Sequence, residues 1–304
     1  MLQVKHILEN KEQVIEGLKK RNLDAETLVQ QIIDLDLERK TSIVKVEDLR
    51  AEGNKKSKEI GGLFKEGRIE EANAAKLEVQ KAKTEQKNLE EELNNIEEKF
   101  RNLLYQIPNV PHTTVPSGST EEDNEEVYSE GIIPILHEGA KPHWEIVKKK
   151  NIVDFETGVK ITGAGFPVYK GKGARLQRAL INFFLDEAEK SGYAEVIPPL
   201  LINEASGIGT GQLPDKEGQM YHVTGDNLYL IPTAEVPITN IYRDLILNEN
   251  ELPKKNCGYT PCFRREAGSY GKEVRGLNRL HQFDKVEIVQ VVHPDESYQV
   301  LNDM

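Results

Sequence analysis

Cysteine and long apolar runs are scarce in this 304-residue chain. Its two cysteines, Cys257 and Cys262, are too few for a disulfide framework or a four-ligand zinc site, and we interpret them as buried thiols. The sequence contains no run of about 18 apolar residues, so we expect no membrane span. The charged first residues also lack the apolar core of a signal peptide. These absences favour a cytoplasmic protein with no membrane partner, and no metal site is expected within the chain.

Proline is absent from the first hundred residues, where apolar residues recur at heptad spacing. The second half of this region follows one frame at Ala72, Ala75, Val79, Ala82, Gln86, Leu89, Leu93, Ile96, Phe100 and Leu103. The first half fits a looser frame at Ile32, Leu35, Val46, Leu49, Ile60 and Leu63, with Arg39, Ser42, Gly53 and Lys56 in its other core positions. The glycine-rich stretch from Gly61 to Arg68 can reverse the chain.

This pattern predicts an antiparallel helical hairpin, preceded by a helix from about Val4 to Lys20. Each hairpin helix is expected to have about 32–35 residues and a length of about 50 Å. A structural or dimerising coiled coil has the same pattern, so heptads alone do not assign a function.

The net charge of −11 is unevenly distributed. Residues 1–104 hold 20 basic and 22 acidic side chains, whereas the remainder holds 20 and 29. Five basic residues cluster near the predicted bend, namely Lys55, Lys56, Lys58, Lys65 and Arg68. A stiff hairpin with a basic end could lie along a phosphate backbone, although a solvated charged face explains the same residues.

The character of the sequence changes after residue 105. The stretch IPNVPHTTVPSGSTEEDNEE introduces Pro108, Pro111 and Pro116 before an acidic run, which is typical of a linker. We therefore predict a helical arm over 1–105, a linker over 106–130 and a second domain over 131–304.

The second domain is predicted to be an antiparallel sheet flanked by helices, which makes the chain an α+β protein. An amphipathic helix is expected from Gly173 to Lys190 and a short strand from Ala194 to Ile197. The later strand-like runs, NLYLIPTAEVP, NCGYTPCFRRE and LHQFDKVEIVQVV, do not alternate with helices as they would in a parallel fold.

Polar and charged side chains accumulate on these strand-like runs. If one strand runs through Glu266, alternation places Arg264 and Glu266 on one face. Phe283 and Glu287 share a face of the return strand, Leu280 to Val292, and we expect Thr233 and Glu235 to point the same way on a third strand. Such a mixture predicts a binding surface. The glycine runs GIGTGQ and GKGARL lack the context of a dinucleotide or phosphate loop.

The same segments carry a family resemblance. The string CFRREAGSYGKEVRGLNRLHQFDKVE resembles motif 2 of the class II aminoacyl-tRNA synthetases, and with GTGQLP and IPTAEVP it is similar to bacterial-type seryl-tRNA synthetases. The helix from Gly173 to Lys190, with Pro199 after it, resembles motif 1. The predicted hairpin resembles the tRNA-binding arm, so the resemblance covers essentially the whole chain.

The resemblance implies roles for individual residues. Arg264 would hold the α-phosphate of ATP, Glu266 would accept from the adenine amino group, and Phe283 would stack on the ring. Looser contacts to ATP are implied for Arg265 and the backbone of Leu280, and contacts to phosphate for Arg275 and Arg279. The serine site would comprise Thr233, Ala234, Glu235 and Glu287, with Thr233 and Glu235 at the ammonium group and Glu287 at the side chain or the ammonium group.

The implied reaction has two steps and needs no protein nucleophile. Serine and MgATP would give seryl-adenylate, and the seryl group would then pass to tRNA(Ser), with tRNA(Sec) left open as a second substrate. Charge stabilisation and positioning would supply catalysis. A homodimer through the region from Gly173 to Pro199 is also implied.

One part of the family pattern is not found before Met304, the motif 3 arginine and the strand before it. We therefore expect a C-terminally truncated synthetase that does not form adenylate at a useful rate alone. Three alternatives remain: a synthetase paralogue that charges a carrier protein, a coiled-coil interaction protein that merely binds nucleotide, and a non-catalytic tRNA-binding protein. The paralogue is disfavoured because such relatives lack the long arm.

Overall fold

The computed structural model describes residues 2–267 and 275–304. The chain forms two compact units, divided between Ile132 and Ile133. The helices of the first unit are α1 (Val4–Glu9), α2 (Lys11–Lys19), α3 (Ala25–Lys65) and α4 (Ile69–Leu104). The predicted single helix from Val4 to Lys20 is thus two helices, because the backbone at Asn10 leaves the helical region.

The predicted helical hairpin is confirmed: α3 packs along α4. Each predicted seam residue of α4 is buried or half-buried, and so are the predicted seam positions of α3. Asp36 is also buried, at 3% exposure, and its carboxylate accepts from Arg39 and Lys40. The weaker apolar frame of α3 therefore still forms a seam, with a paired charge inside it.

The hairpin helices are longer than the sequence predicted, at 41 and 36 residues. Gly61 and Gly62 do not break α3, because each glycine costs a helix only about 1 kcal/mol relative to alanine. The reversal is confined to Glu66, Gly67 and Arg68, where Gly67 has a φ of +77°. That conformation suits glycine at a helix C-terminus.

A compact apolar cluster joins α1 and α2 to the start of α3 and the end of α4. It contains Ile7, Val14, Leu18, Val29 and Phe100, with Ile107 added from the following segment. The segment after α4 also contacts α2, since the Lys20 ammonium donates to the carbonyls of Thr113 and Val115 at 2.9 and 2.7 Å. Pro108, Pro111 and Pro116 of the predicted linker therefore lie in an irregular segment that is packed on the helices of the first unit.

In its described residues, the second unit combines helices with three sheets. Its helices are α5 (His143–Lys149), α6 (Phe155–Ile161), α7 (Lys172–Lys190), α8 (Glu204–Gly209), α9 (Glu235–Asn240) and α10 (Ser297–Asp303). Its strands are β1 (Val153–Asp154), β2 (Val168–Tyr169), β3 (Ala194–Glu195), β4 (Leu201–Ile202), β5 (His222–Val223), β6 (Leu228–Leu230), β7 (Lys254–Phe263) and β8 (Gln282–Val291). The pairings are β1-β2, β4-β6-β5 and β3-β7-β8, all antiparallel except β3 with β7.

The β7–β8 hairpin is the longest pairing and the element that positions the site. Its register pairs Phe263 with Gln282 and Lys254 with Val291. α7 and α9 both pack on it. The predicted antiparallel sheet with flanking helices is confirmed.

Two predicted strands are shorter than expected. The run from Asn227 to Pro237 is a strand only at Leu228–Leu230, and Glu235 begins helix α9. The strand before the glycine-rich loop ends at Phe263 instead of Glu266. Among residues 2–267 and 275–304, no helix combines the length and the apolar character that crossing a membrane requires.

Candidate active site

The β7–β8 hairpin presents two chemically different faces. On one face the carboxylate of Asp284 accepts from the Tyr259 hydroxyl at 2.6 Å and from the side-chain amide of Gln177 on α7. On the other face Gly258 lies beside Ile238 of α9 and is paired in register with Glu287. Because side chains alternate along a strand, Phe283, Lys285 and Glu287 share this second face.

The face toward α7 is sealed by polar bonds and apolar packing. Burial and the bond to Asp284 raise the pKa of Tyr259, so its hydroxyl stays protonated and donates. Cys257 is buried here against Ala188 and Tyr193. Cys262, which is paired with Phe283 on the other face, is also buried, so both thiols are buried as the sequence predicted. The face toward α7 therefore supports the hairpin.

The absence of a side chain at Gly258 lets the hairpin approach its neighbours closely. A methyl group added there would lie 2.6 Å from the Val196 carbonyl oxygen and 3.0 Å from Cδ1 of Ile238. We expect Gly258→Ala to lower the free energy of unfolding by about 1–3 kcal/mol, the usual cost of overpacking. Chemical denaturation measures this, with Gly225→Ala as the control because no described atom lies within 4 Å of its added methyl. Equal stabilities for the two variants would contradict the close approach.

Arg264 and Phe283 are brought together at the end of the hairpin. The guanidinium carbon of Arg264 lies 5.2 Å from the centre of the Phe283 ring, within the range of a cation–π contact. The Nε of Arg264 donates to the carbonyl of Pro232 at 3.2 Å. None of the described residues accepts from the two terminal nitrogens of Arg264. The guanidinium is thus fixed on one side and available on the other.

Thr233 and Glu287 are also brought together, and Lys285 joins them. The Thr233 hydroxyl donates to Oε2 of Glu287 at 2.8 Å. The ammonium of Lys285 lies 2.6 Å from the same oxygen and 3.0 Å from the Thr233 hydroxyl. A bond from the Phe263 amide to the Ile231 carbonyl, 2.8 Å long, holds the segment with Thr233 against the hairpin.

Lys285 was missed by the sequence reasoning, although the signal was present. Alternation placed Phe283 and Glu287 on one face, and the same rule places Lys285 between them.

Glu266 occupies a different backbone conformation from the one predicted. Its φ is +48°, in the left-handed region, so strand alternation does not relate it to Arg264. Its side chain is only 11% exposed and its carboxylate lies 3.7 Å from the guanidinium of Arg279. The expectation that Arg264 and Glu266 share a strand face is wrong, because the strand ends at Phe263.

The carboxylate of Glu235 does not contact the cluster formed by Thr233, Lys285 and Glu287. Glu235 is exposed at the first position of α9, and its backbone amide donates to the Thr233 hydroxyl at 3.3 Å. Its carboxylate bonds to no residue in the described part of the chain. The expectation that Thr233 and Glu235 project together from a strand is wrong, since helix α9 begins at Glu235. Ala234 is fully buried.

Arg275 lies in a second aromatic environment. Its guanidinium carbon is 5.8 Å from the centre of the Trp144 ring, and the neighbouring Leu277 amide donates to Nε2 of His143 at 2.8 Å. Arg275 and Leu280 line a cavity of about 520 Å³ with Trp144. Arg265 is exposed. Part of the predicted glycine-rich loop, 268–274, lies outside the described residues.

Two family models match the chain. The model described as the seryl-tRNA synthetase N-terminal domain matches residues 1–111. The model described as the tRNA synthetase class II core domain (G, H, P, S and T) matches residues 221–304.

Curated relatives and solved structures are similar over nearly the whole chain. The serine–tRNA ligase of Salinibacter ruber is 47% identical over 302 residues, which is 99% of this chain and 71% of the relative. That of Desulforamulus reducens is 51% identical over 99% of this chain and 70% of the relative. A crystal structure of seryl-tRNA synthetase from Pyrococcus horikoshii complexed with ATP matches with a TM-score of 0.83 at 33% identity, covering 100% of this chain and 72% of that one. The cytoplasmic serine–tRNA ligase from Naegleria fowleri in complex with AMP matches with a TM-score of 0.78 at 29% identity, covering 100% of this chain and 70% of that one.

Proposed function

The chain belongs to the seryl-tRNA synthetase family, and on that premise we propose which of its residues bind each substrate of a serine–tRNA ligase. The enzyme activates serine with ATP and transfers the seryl group to tRNA. One observation carries the assignment of residues. Phe283 and Glu287 lie on one face of the β7–β8 hairpin, where Arg264 contacts the Phe283 ring and Thr233 donates a hydrogen bond to Glu287. A phosphate-binding cation with an aromatic ring, next to a hydroxyl with a carboxylate, suits a nucleotide beside a small amino acid.

The nucleotide is assigned to the end of the hairpin. Arg264 presents its two terminal nitrogens to the α-phosphate, in the planar fork that binds phosphate oxygens in pairs. Phe283 stacks on adenine, and the largely buried Glu266 accepts from the adenine amino group. The guanidinium of Arg279 lies 3.7 Å from the Glu266 carboxylate, so a contact from Arg279 to phosphate stays a prediction. So do the contacts of Arg265, Arg275 and Leu280.

Serine is assigned to the polar cluster beside the nucleotide. Glu287 binds the ammonium group or the hydroxyl of serine, and Thr233 and Ala234 form the adjoining wall. The carboxylate of Glu235 is exposed and bonds to none of the described residues, so it is available to the ammonium group. A site with these polar groups rejects amino acids that leave them unpaired.

Catalysis in this proposal comes from positioning and from charge stabilisation. As the serine carboxylate attacks the α-phosphorus, negative charge grows on the phosphate oxygens, and the fixed guanidinium of Arg264 stabilises it. ATP enters as its magnesium complex, so the metal is part of the substrate. In the described residues, no group of three or more metal-binding side chains lies together.

A second copy of the chain is proposed to cover α7. Its side chains Leu176, Leu180, Phe183 and Phe184 are each 45–57% exposed and recur at helical spacing. With the region through Pro199 they form an apolar surface that suits a homodimer.

tRNA(Sec) stays open as a second substrate. The proposed location is the cytoplasm, where tRNA charging supplies translation.

The helical hairpin is proposed to bind the tRNA, within an arm of 1–105 followed by a linker of 106–130 and a catalytic domain of 131–304. At its end, Lys55, Lys58 and Lys65 are exposed and bond to no described residue. Lys56 and Arg68 are instead paired with carboxylates of the hairpin itself. The unpaired lysines are the ones available to phosphates.

Gel-shift binding tests this assignment with a pair of matched variants. The variant Lys55→Gln/Lys58→Gln is expected to bind a tRNA with a long variable arm about five- to tenfold more weakly. Its salt dependence should fall by about 1.4–1.8 in the slope of log K against log salt, because each lost phosphate contact contributes about 0.7–0.9. Lys56→Gln/Arg68→Gln removes the same charge and should change affinity less than about twofold.

Two results would count against tRNA binding by the hairpin. One is equal affinity of the unaltered chain for tRNAs with and without a long variable arm at two salt concentrations. The other is an equal loss of affinity in both double variants. The first would remove the proposed selectivity of the hairpin for a long variable arm, and the second would show that the effect is one of net charge.

A further inference from the structure

We propose that Lys285 is a positioning residue of the amino-acid site: it holds one oxygen of Glu287 so that the other oxygen is presented to the substrate. The inference rests on the proposed function, because it concerns how the serine site is arranged. It adds a residue that contacts protein groups and sets the orientation of the carboxylate that contacts serine.

The two carboxylate oxygens of Glu287 have different partners within the cluster of Thr233, Lys285 and Glu287. Oε2 accepts from the Thr233 hydroxyl at 2.8 Å and lies 2.6 Å from the Lys285 ammonium. Oε1 has no donor among the described residues. A carboxylate accepts hydrogen bonds at both oxygens, so Oε1 is the acceptor left for a ligand.

Thr233 has its hydrogen-bonding capacity filled in this arrangement. A hydroxyl donates once and accepts twice. That of Thr233 donates to Glu287, and accepts from Lys285 at 3.0 Å and from the Glu235 amide at 3.3 Å. Thr233 therefore orients Glu287 together with Lys285, and the ammonium or hydroxyl of serine finds its acceptor at Oε1.

The burial of the cluster distinguishes it from a surface ion pair. The side chains of Lys285 and Glu287 are 34% and 19% exposed, and Thr233 is 3% exposed. Exposed pairs contribute little because water competes and both side chains are mobile. Here a buried hydroxyl bridges the two charged groups, so the ammonium of Lys285 is fixed at two points.

Titration calorimetry of the chain with a non-hydrolysable seryl-adenylate analogue tests the inference. Lys285→Met keeps the aliphatic stem but removes the charge, and it should weaken binding of the analogue about tenfold, the loss typical of one charge-assisted hydrogen bond. Lys285→Arg should stay within about threefold of the unaltered chain, because a guanidinium can donate to both acceptors. Binding of ATP alone should change less than about twofold in Lys285→Met, since the contact lies in the serine site.

A double-mutant cycle separates positioning from a general structural role. In a Glu287→Gln background, adding Lys285→Met should change binding less than about twofold, because its route to the ligand is already removed. Loss of ATP binding in Lys285→Met, or an equal tenfold loss in both backgrounds, would overturn the inference.

Two further outcomes distinguish the inference from the function on which it rests. If Lys285→Met binds the analogue as the unaltered chain does while Glu287→Gln binds it weakly, the inference fails and the serine site stands. If the unaltered chain binds neither the analogue nor ATP, the proposed function itself fails.

Discussion

Arg264→Gln is expected to weaken the binding of ATP, and of a non-hydrolysable seryl-adenylate analogue, about 100-fold. Hydrogen bonds to charged groups contribute about 1.5–3 kcal/mol each, and a loss of about 1.4 kcal/mol is a factor of ten in affinity. Arg264 presents two terminal nitrogens to the ligand and is already held by Pro232 and Phe283. Little ordering is therefore needed when the phosphate arrives, and the loss of both bonds should appear in the affinity.

The neighbouring arginine provides the matched control. Arg265→Gln makes the same change of charge one residue away, but Arg265 is exposed and its expected effect is below about fivefold. Titration calorimetry of both variants gives the comparison. Equal losses would show that the effect is one of net charge, and an unaltered affinity in Arg264→Gln would remove this residue from the phosphate site.

The sequence predicted the elements whose pattern repeats. The heptad frame located the seam of α3 and α4, because a hairpin of this kind is held by the same contact repeated along its length. The helix from Gly173 to Lys190 differs by one residue from α7, which begins at Lys172. Alternation correctly placed Phe283 and Glu287 on one face of a long strand.

The sequence did not predict where the regular pattern stops. The composition around Thr233 is typical of a strand, but a short helix begins at Glu235. Tertiary packing outweighs weak local preferences here. Glu266 lies in a left-handed conformation, which no alternation rule describes. The length of α3 was underestimated because Gly61 and Gly62 are tolerated inside a helix that packs along a partner.

The types of the residues predict only part of the candidate site. Arg264, Phe283, Thr233 and Glu287 carry chemistry that a core does not need, and the structure joins them in two contacting pairs. The role of Lys285 depends on its distances to two neighbours, Thr233 and Glu287. Those distances arise from a loop bond between Phe263 and Ile231, and no local pattern encodes that bond.

Selectivity for serine over alanine is the second large effect that we expect. The alanyl-adenylate analogue lacks only the hydroxyl, and that loss would leave a polar group of the Glu287 cluster without a partner. Sites built to bond a substrate hydroxyl reject the analogue lacking it by about 10⁴–10⁵ in favourable cases. For a cluster that is only partly buried we expect about 10- to 100-fold, since an unsatisfied buried group costs about 1–3 kcal/mol and about 1.4 kcal/mol is a factor of ten. The threonyl analogue adds a methyl group and should bind about tenfold more weakly.

The most direct measurement is a calorimetric titration of the chain with the seryl and alanyl analogues side by side. The two ligands share the adenosine and differ by one oxygen atom, so the ratio of their dissociation constants reports the amino-acid site alone. We predict a ratio of about 10 to 100, which should collapse toward one in Glu287→Gln. Equal affinity of the unaltered chain for both analogues would contradict a serine site on the β7–β8 hairpin.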